Sequence, residues 1–172
     1  MRHTWRDAFI SWLAILMLLA LITWCHRANA MTRHQRWALW YAYQVGFPYS
    51  TTASAIIWQE SSLCAHRIGT HHDYGCGGIQ EGAVWAAWHM HVGRWALIHD
   101  DKLNIHITVA YFNYCLSQTH NWERAVICYN TGPAYAKRLS WHYVVHNAYL
   151  RRIKWRMREV SAINGATVED LR

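Results

Sequence analysis

Proline and glycine are scarce in this chain, with two and nine among 172 residues. That shortage excludes collagen-like and low-complexity chains and speaks against a turn-rich β-sandwich. Charge is sparse as well. Asp, Glu, Lys and Arg make up 16% against 53% apolar residues, a balance that buries a core and excludes disorder. No Cys-x-x-Cys pair and no His-Glu-x-x-His pattern occurs, which removes the commonest zinc signatures. Neither an internal repeat nor a Gly/Ser linker interrupts residues 31–172, so they read as one domain. Acidic residues are the minority, 10 against 17 Lys+Arg for a net charge of +7. A basic balance suits any polyanion and does not rank nucleic acid, anionic lipid and cell wall.

What is present begins with a targeting pattern. Arg2, His3 and Arg6 precede an uncharged run over residues 8–25, followed by Ala28-Asn29-Ala30. A basic start, an apolar stretch and a small-residue site make a secretory signal, with cleavage expected after Ala30. The run also approaches the roughly 20 residues that span a bilayer, so an uncleaved anchor through residues 8–25 is the alternative. Either reading divides the chain into residues 1–30 and 31–172 and puts the second part outside the cytoplasm, in or facing the periplasm. Cys25 follows Trp24, too bulky for a lipoprotein processing site. The four cysteines that remain, Cys64, Cys76, Cys115 and Cys128, are an even number in an oxidising compartment. One or two disulfides are expected, with the connectivity open.

Apolar periodicity makes the body all-α. Helices are expected over residues 34–45, 53–59 (capped by Thr51 or Thr52), 83–91, around the stripe Ile105, Val109, Phe112 and Leu116, and over 123–129 and 140–158. The count is five or six. Residues 61–79 carry four of the nine glycines and little periodicity, the pattern of a long functional loop. The 12 Trp and 10 Tyr fit a core, a sugar-lined groove or a membrane interface equally.

Three patches carry chemistry. An apolar helix ends on Glu60-Ser61-Ser62, where burial would raise the carboxyl pKa and keep an acid protonated near neutral pH. Gly77-Gly78-Ile79-Gln80 is a glycine turn that delivers a Gln. Tyr129-Asn130-Thr131-Gly132 ends a further helix. With Asn104 opening a long helix and Tyr143-Val144 near the end, this order of motifs resembles the lysozyme-like lytic transglycosylases of the soluble-lytic-transglycosylase type. The resemblance covers about residues 50–150 and implies a lysozyme-like helical domain with a long active-site loop. It implies Glu60 as catalytic acid/base, Ser61, Ser62, Gln80, Tyr129 and Asn130 at the substrate cleft, and Gly77 and Gly132 as structural turns. In an alternative register, Asp73-Tyr74-Gly75 starts the loop motif and Gly78 takes the place of the Gln.

The resemblance further implies peptidoglycan glycan strands as the partner and no cofactor. Hydrolysing glycosidases generally use two carboxylates. A lytic transglycosylase uses one, with the sugar's own C6 hydroxyl as nucleophile, and leaves 1,6-anhydromuramyl ends. Asp73 reads as a turn residue, although a position in the cleft would make it a second carboxylate, as in goose-type lysozymes. The alternatives to the lyase are therefore such a muramidase, or a non-catalytic wall-binding component of a secretion or phage assembly. His142 and His146, one turn apart, lack the third ligand of a metal site. The basic run at 151–158 reads first as a solvated helix end and otherwise suits lipid or wall polymer; nucleic acid is not expected as a partner, since an exported chain seldom meets it.

Overall fold

A computed structural model of the protein describes residues 12–13, 15–19 and 31–169. The chain divides into two compact units, residues 1–32 and 33–172. Residues 12–13 and 15–19 of the first unit are helical. Most of the expected signal or anchor, with Ala28-Asn29-Ala30, lies outside the described residues. Among the described residues no helix is long and apolar enough to cross a membrane.

The second unit is all-helical, with nine helices among its described residues: α1 (Arg33–Val45), α2 (Ser50–Ser61), α3 (Glu81–Trp88), α4 (Arg94–His99), α5 (Asp101–Thr119), α6 (Trp122–Thr131), α7 (Pro133–Arg138), α8 (Trp141–His146) and α9 (Ala148–Glu169). Five or six was too low a count. Two short helices, α4 and α7, carry no periodicity of their own, and the helix expected over residues 140–158 is cut at Asn147. There the Asn147 carboxamide oxygen accepts the Leu150 N–H at 3.0 Å, an N-cap that starts α9 afresh. Asp100 and Asn121 cap α5 and α6 in the same way, accepting from Leu103 and Arg124 at 3.0 and 2.9 Å. Neither Thr51 nor Thr52 caps α2, which begins at Ser50 without a side-chain cap. Thr52 is buried instead, and its hydroxyl accepts the Trp122 indole N–H at 3.2 Å.

Helix α5 is the axis of the core. Its expected stripe is only part of its buried surface. Ile105 and Phe112 are buried, but so are Ile107, Thr108, Tyr111 and Cys115, because α1, α3, α4 and α6 pack around it. Helix α2 is buried over residues 52–57 and packs between α1 and α9. Ile56, Phe112, Ile127, Leu150 and Ile153 bring α2, α5, α6 and α9 into one apolar cluster. Both disulfides form, Cys64–Cys76 within the long loop and Cys115–Cys128 between α5 and α6. A crosslink over a loop of about 12 residues stabilises by restricting the unfolded chain, by about 3 kcal/mol. The loop is further folded on itself by isolated bridges of Tyr74 with Ile68 and with Ile79.

Candidate active site

The end of α2 sets the site. Glu60 occupies its last turn, and the helix stops at Ser62, whose left-handed backbone (φ 52°) closes the final turn. The buried Ser61 hydroxyl donates to the Cys76 carbonyl at 2.6 Å and accepts the Cys64 N–H at 2.8 Å. Ser61 therefore ties the helix end to both halves of the Cys64–Cys76 bridge. Ser62 receives the Gln35 carboxamide on its carbonyl at 3.0 Å. Neither serine lines the cleft described below, and the Ser61 hydroxyl is spent on the scaffold.

The glycine turn is held from beneath by one side chain. Asn104 is 0% exposed. Its oxygen accepts the Gly77 N–H at 2.8 Å, and its amide donates to the carbonyls of Tyr74 and Leu97 at 2.9 and 3.0 Å. The Tyr129 hydroxyl donates to the Gly77 carbonyl at 2.7 Å. A Cβ at Gly77 would overlap Thr108 Oγ1, so the turn seats this closely on α5 only without a side chain. Gly78 has φ +59°, and a Cβ there would come within 3.0 Å of Glu60 Oε2. Its bare backbone leaves the carboxyl room.

These elements enclose a cleft of about 370 Å³. Glu60, Gly78 and Ile79 line it with His71, Asp73 and Gln80 from the loop. Asn130, Thr131 and Gly132 line it from the end of α6, and Tyr111 and Tyr129 from the core side. The expected cleft residues Gln80, Tyr129 and Asn130 thus meet Glu60 in one place. Tyr129 does so with its hydroxyl already committed to Gly77. Gln80 and Gly78, the candidates of the two motif registers, both face the cleft. Asp73 is not merely a turn residue. It lines the cleft, and its Oδ1 accepts the Gln80 carboxamide at 2.8 Å.

Electrostatics make Glu60 a protonatable group. Its pKa is raised from 4.5 to about 7. Burial is the largest cause and the charge of Asp73 adds to it, while a hydrogen bond from Tyr149 and the charge of Arg152 oppose it. Tyr149, near the start of α9, donates its hydroxyl to Glu60 Oε1. Burial and then the charge of Glu60 push the phenols of Tyr129 and Tyr149 well above 10, so both remain neutral donors. Because the Tyr149 bond favours the carboxylate, Tyr149→Phe is expected to raise the Glu60 pKa further. The alkaline limb of the pH–rate profile would move to higher pH; an unmoved limb would deny Tyr149 this role.

Sequence reasoning missed Tyr149, Tyr111, His71 and Thr131. For Tyr149 a signal existed: it precedes Leu150 and Ile153, both buried, in the core spacing of a helix. The aromatic–valine pair splits, with Val144 buried and Tyr143 66% exposed. His142 and His146 are exposed, with rings 4.7 Å apart. His34, Cys64 and Asp101 bring possible metal-ligand atoms within 4.8 Å of one another, but the Cys64 sulfur is consumed by its disulfide.

Helices packed around a cleft with a protonatable carboxyl at the end of a buried helix form the lysozyme-like arrangement of glycan-cleaving domains. The amino-acid pattern is more specific than the fold. The family model of the transglycosylase SLT domain matches residues 41–141, more than half of the chain, and the chain belongs to that family. The family is one of peptidoglycan lytic transglycosylases, and its substrate lies outside the cytoplasmic membrane. Comparison with curated proteins and with solved structures returns no match. Tyr149 lies beyond the matched residues.

Proposed function

We propose that the protein cuts the β-1,4 bond between N-acetylmuramyl and N-acetylglucosamine units, with Glu60 as single acid/base. The observation that carries this reading is the Glu60 carboxyl itself: at the cleft, partly desolvated, and held by the neutral Tyr149 hydroxyl. Protonated Glu60 donates its proton to the glycosidic oxygen as the C1–O bond breaks. The resulting carboxylate then takes the proton of the muramyl C6 hydroxyl while that oxygen bonds C1. The products are a 1,6-anhydromuramyl end and a free 4-hydroxyl on the neighbouring sugar, and Glu60 is again protonated. No water is consumed. A group that must be acid first and base second works best with a pKa near the working pH, and about 7 meets that need. Gln80 and Asn130 supply amide groups for the sugars' acetamido and hydroxyl substituents. The work is local opening of the wall on the exported side. The protein acts alone or within a larger wall-crossing assembly, held by residues 8–25 where they stay uncleaved.

Asp73 favours a second reading. A carboxylate lining the same cleft as Glu60 is positioned to activate water, which would make the protein a muramidase. Its bond from Gln80 supports the first reading instead, in which Asp73 orients the carboxamide and raises the Glu60 pKa. Purified peptidoglycan digested by the wild-type chain and by Asp73→Asn, with mass spectrometry of the ends, separates the two. The lyase reading expects anhydromuramyl ends from both, with the variant's rate within about tenfold of wild type. Its alkaline limb moves to lower pH, because a charge that raised the Glu60 pKa is gone. Reducing ends that disappear in Asp73→Asn, with a rate loss of about 100-fold or more, would make the protein a hydrolase.

A further inference from the structure

A second concavity, of about 470 Å³, shares no lining residue with the cleft. Trp37 of α1 and Trp95 of α4 line it, with Asp100, Asp101 and Lys102 at the start of α5. Trp95 is 74% exposed, an unusual position for so large an apolar ring. It is propped from one side by His99, with ring centroids 4.8 Å apart. Trp37 is held rigidly, stacked between His34 and Tyr41 at 5.4 and 5.3 Å. Neither ring lies in the apolar cluster of the core.

The polar groups around these rings are nearly all committed. Asp100 caps α5. Asp101 Oδ2 takes Arg67 at 2.9 Å and His34 at 3.0 Å. Asp101 Oδ1, however, is buried and accepts no hydrogen bond, and a buried acceptor left unmet costs about 1–3 kcal/mol. That oxygen is closed off from the groove, which offers the exposed Trp95 ring beside the exposed side chains of Asp100 and Lys102. Its charges balance, Asp100 and Asp101 against Arg67 and Lys102. That balance selects neither a phosphate polymer nor a free cation, and the Cys64 disulfide removes the third ligand a metal would need. An uncharged molecule with an apolar face and hydroxyl donors at its edge is complementary, and that is the chemistry of a pyranose ring.

We propose that this groove is a second carbohydrate-binding site, which holds a sugar ring of wall glycan against Trp95 with its hydroxyls toward Asp100 and Lys102. The inference rests on the family's polymeric substrate. A strand that runs past the cleft can be gripped at a second place, raising the enzyme's local concentration on the insoluble wall without touching the bond that is cut.

The test uses the full chain in detergent, in a Glu60→Gln background so that no bond breaks during binding. Sedimentation with purified insoluble peptidoglycan is expected to show about tenfold weaker binding for Trp95→Ala, with most of it restored in Trp95→Phe. In the otherwise unchanged chain, Trp95→Ala is expected to cleave short soluble glycan fragments at the wild-type rate. Unchanged sedimentation would overturn the proposal, as would an equal loss on the short fragments, which would put Trp95 in service of the cleft or the fold. Competition by tetramethylammonium but not by N-acetylglucosamine oligomers would overturn it too, and identify a cation cage. Since sedimentation requires no turnover, failure to find anhydromuramyl ends would refute the proposed reaction and leave this result standing.

Discussion

Glu60→Gln is expected to lower the rate of peptidoglycan cleavage by about 1,000-fold or more while leaving the fold intact. Positioned acid–base groups contribute about 100- to 10,000-fold each. In the proposed reaction Glu60 serves both proton transfers, so its loss belongs at the upper end. Gln keeps the shape and the acceptor for the Tyr149 hydroxyl, and it neither gives nor takes a proton. The same substitution has a signature in stability. The folded Glu60 pKa of about 7 lies above its ordinary 4.5, so between those values the folded chain holds a proton that the unfolded chain has released. Wild-type stability therefore falls as pH rises through that window, whereas the Gln variant has no such term. The stability of Glu60→Gln relative to wild type is expected to grow from pH 4 to pH 8, by on the order of 2–3 kcal/mol. Urea unfolding at the two pH values measures it. A variant that still cleaves at more than a tenth of the wild-type rate would remove Glu60 from the mechanism. A pH-independent stability difference would mean that Glu60 is not desolvated in the folded chain.

The second large effect is expected far from any reacting atom. Asn104→Leu should destabilise the domain by about 2–6 kcal/mol, since it orphans the Gly77 N–H and the Leu97 carbonyl, each costing about 1–3 kcal/mol when buried, while the Tyr74 carbonyl keeps the Ile79 N–H. Activity should fall along with stability. Gly77 is the point at which α5 and Tyr129 hold the loop, and Gly78 beside it shapes the space around Glu60. Asn104→Asp would not rescue the fold, because it keeps one acceptor but replaces two donors with a buried charge. The measurement is a urea titration of both variants with glycan cleavage at a temperature where each is folded. A stability change below about 1 kcal/mol for Asn104→Leu would show that the loop holds its shape without this clamp.

Much of this arrangement is written in short-range order. Helix α2 was legible because a largely apolar run from Ala53 to Trp58 leads, through Gln59 alone, to Glu60. The glycine turn was legible because Gly75, Gly77 and Gly78 crowd into four positions. The Asx caps at Asp100, Asn121 and Asn147 were passed over, although such a side chain reaches only its own next turn and leaves a local signal.

What the sequence by itself determined is therefore the helical class and the order of the motifs, with Glu60 at the end of a largely apolar helix. Other features came only with the tertiary structure: the Cys64–Cys76 and Cys115–Cys128 pairing, the entry of Asp73 into the cleft, and the bond from Tyr149 to a carboxyl 89 residues earlier. The physical reason is range. Periodicity and capping act over three or four residues and leave a pattern in the chain. A desolvated carboxyl with a phenol brought to it from the last helix exists only after α2 and α9 have packed, and it is that packing which turns an ordinary glutamate into one with a pKa of about 7.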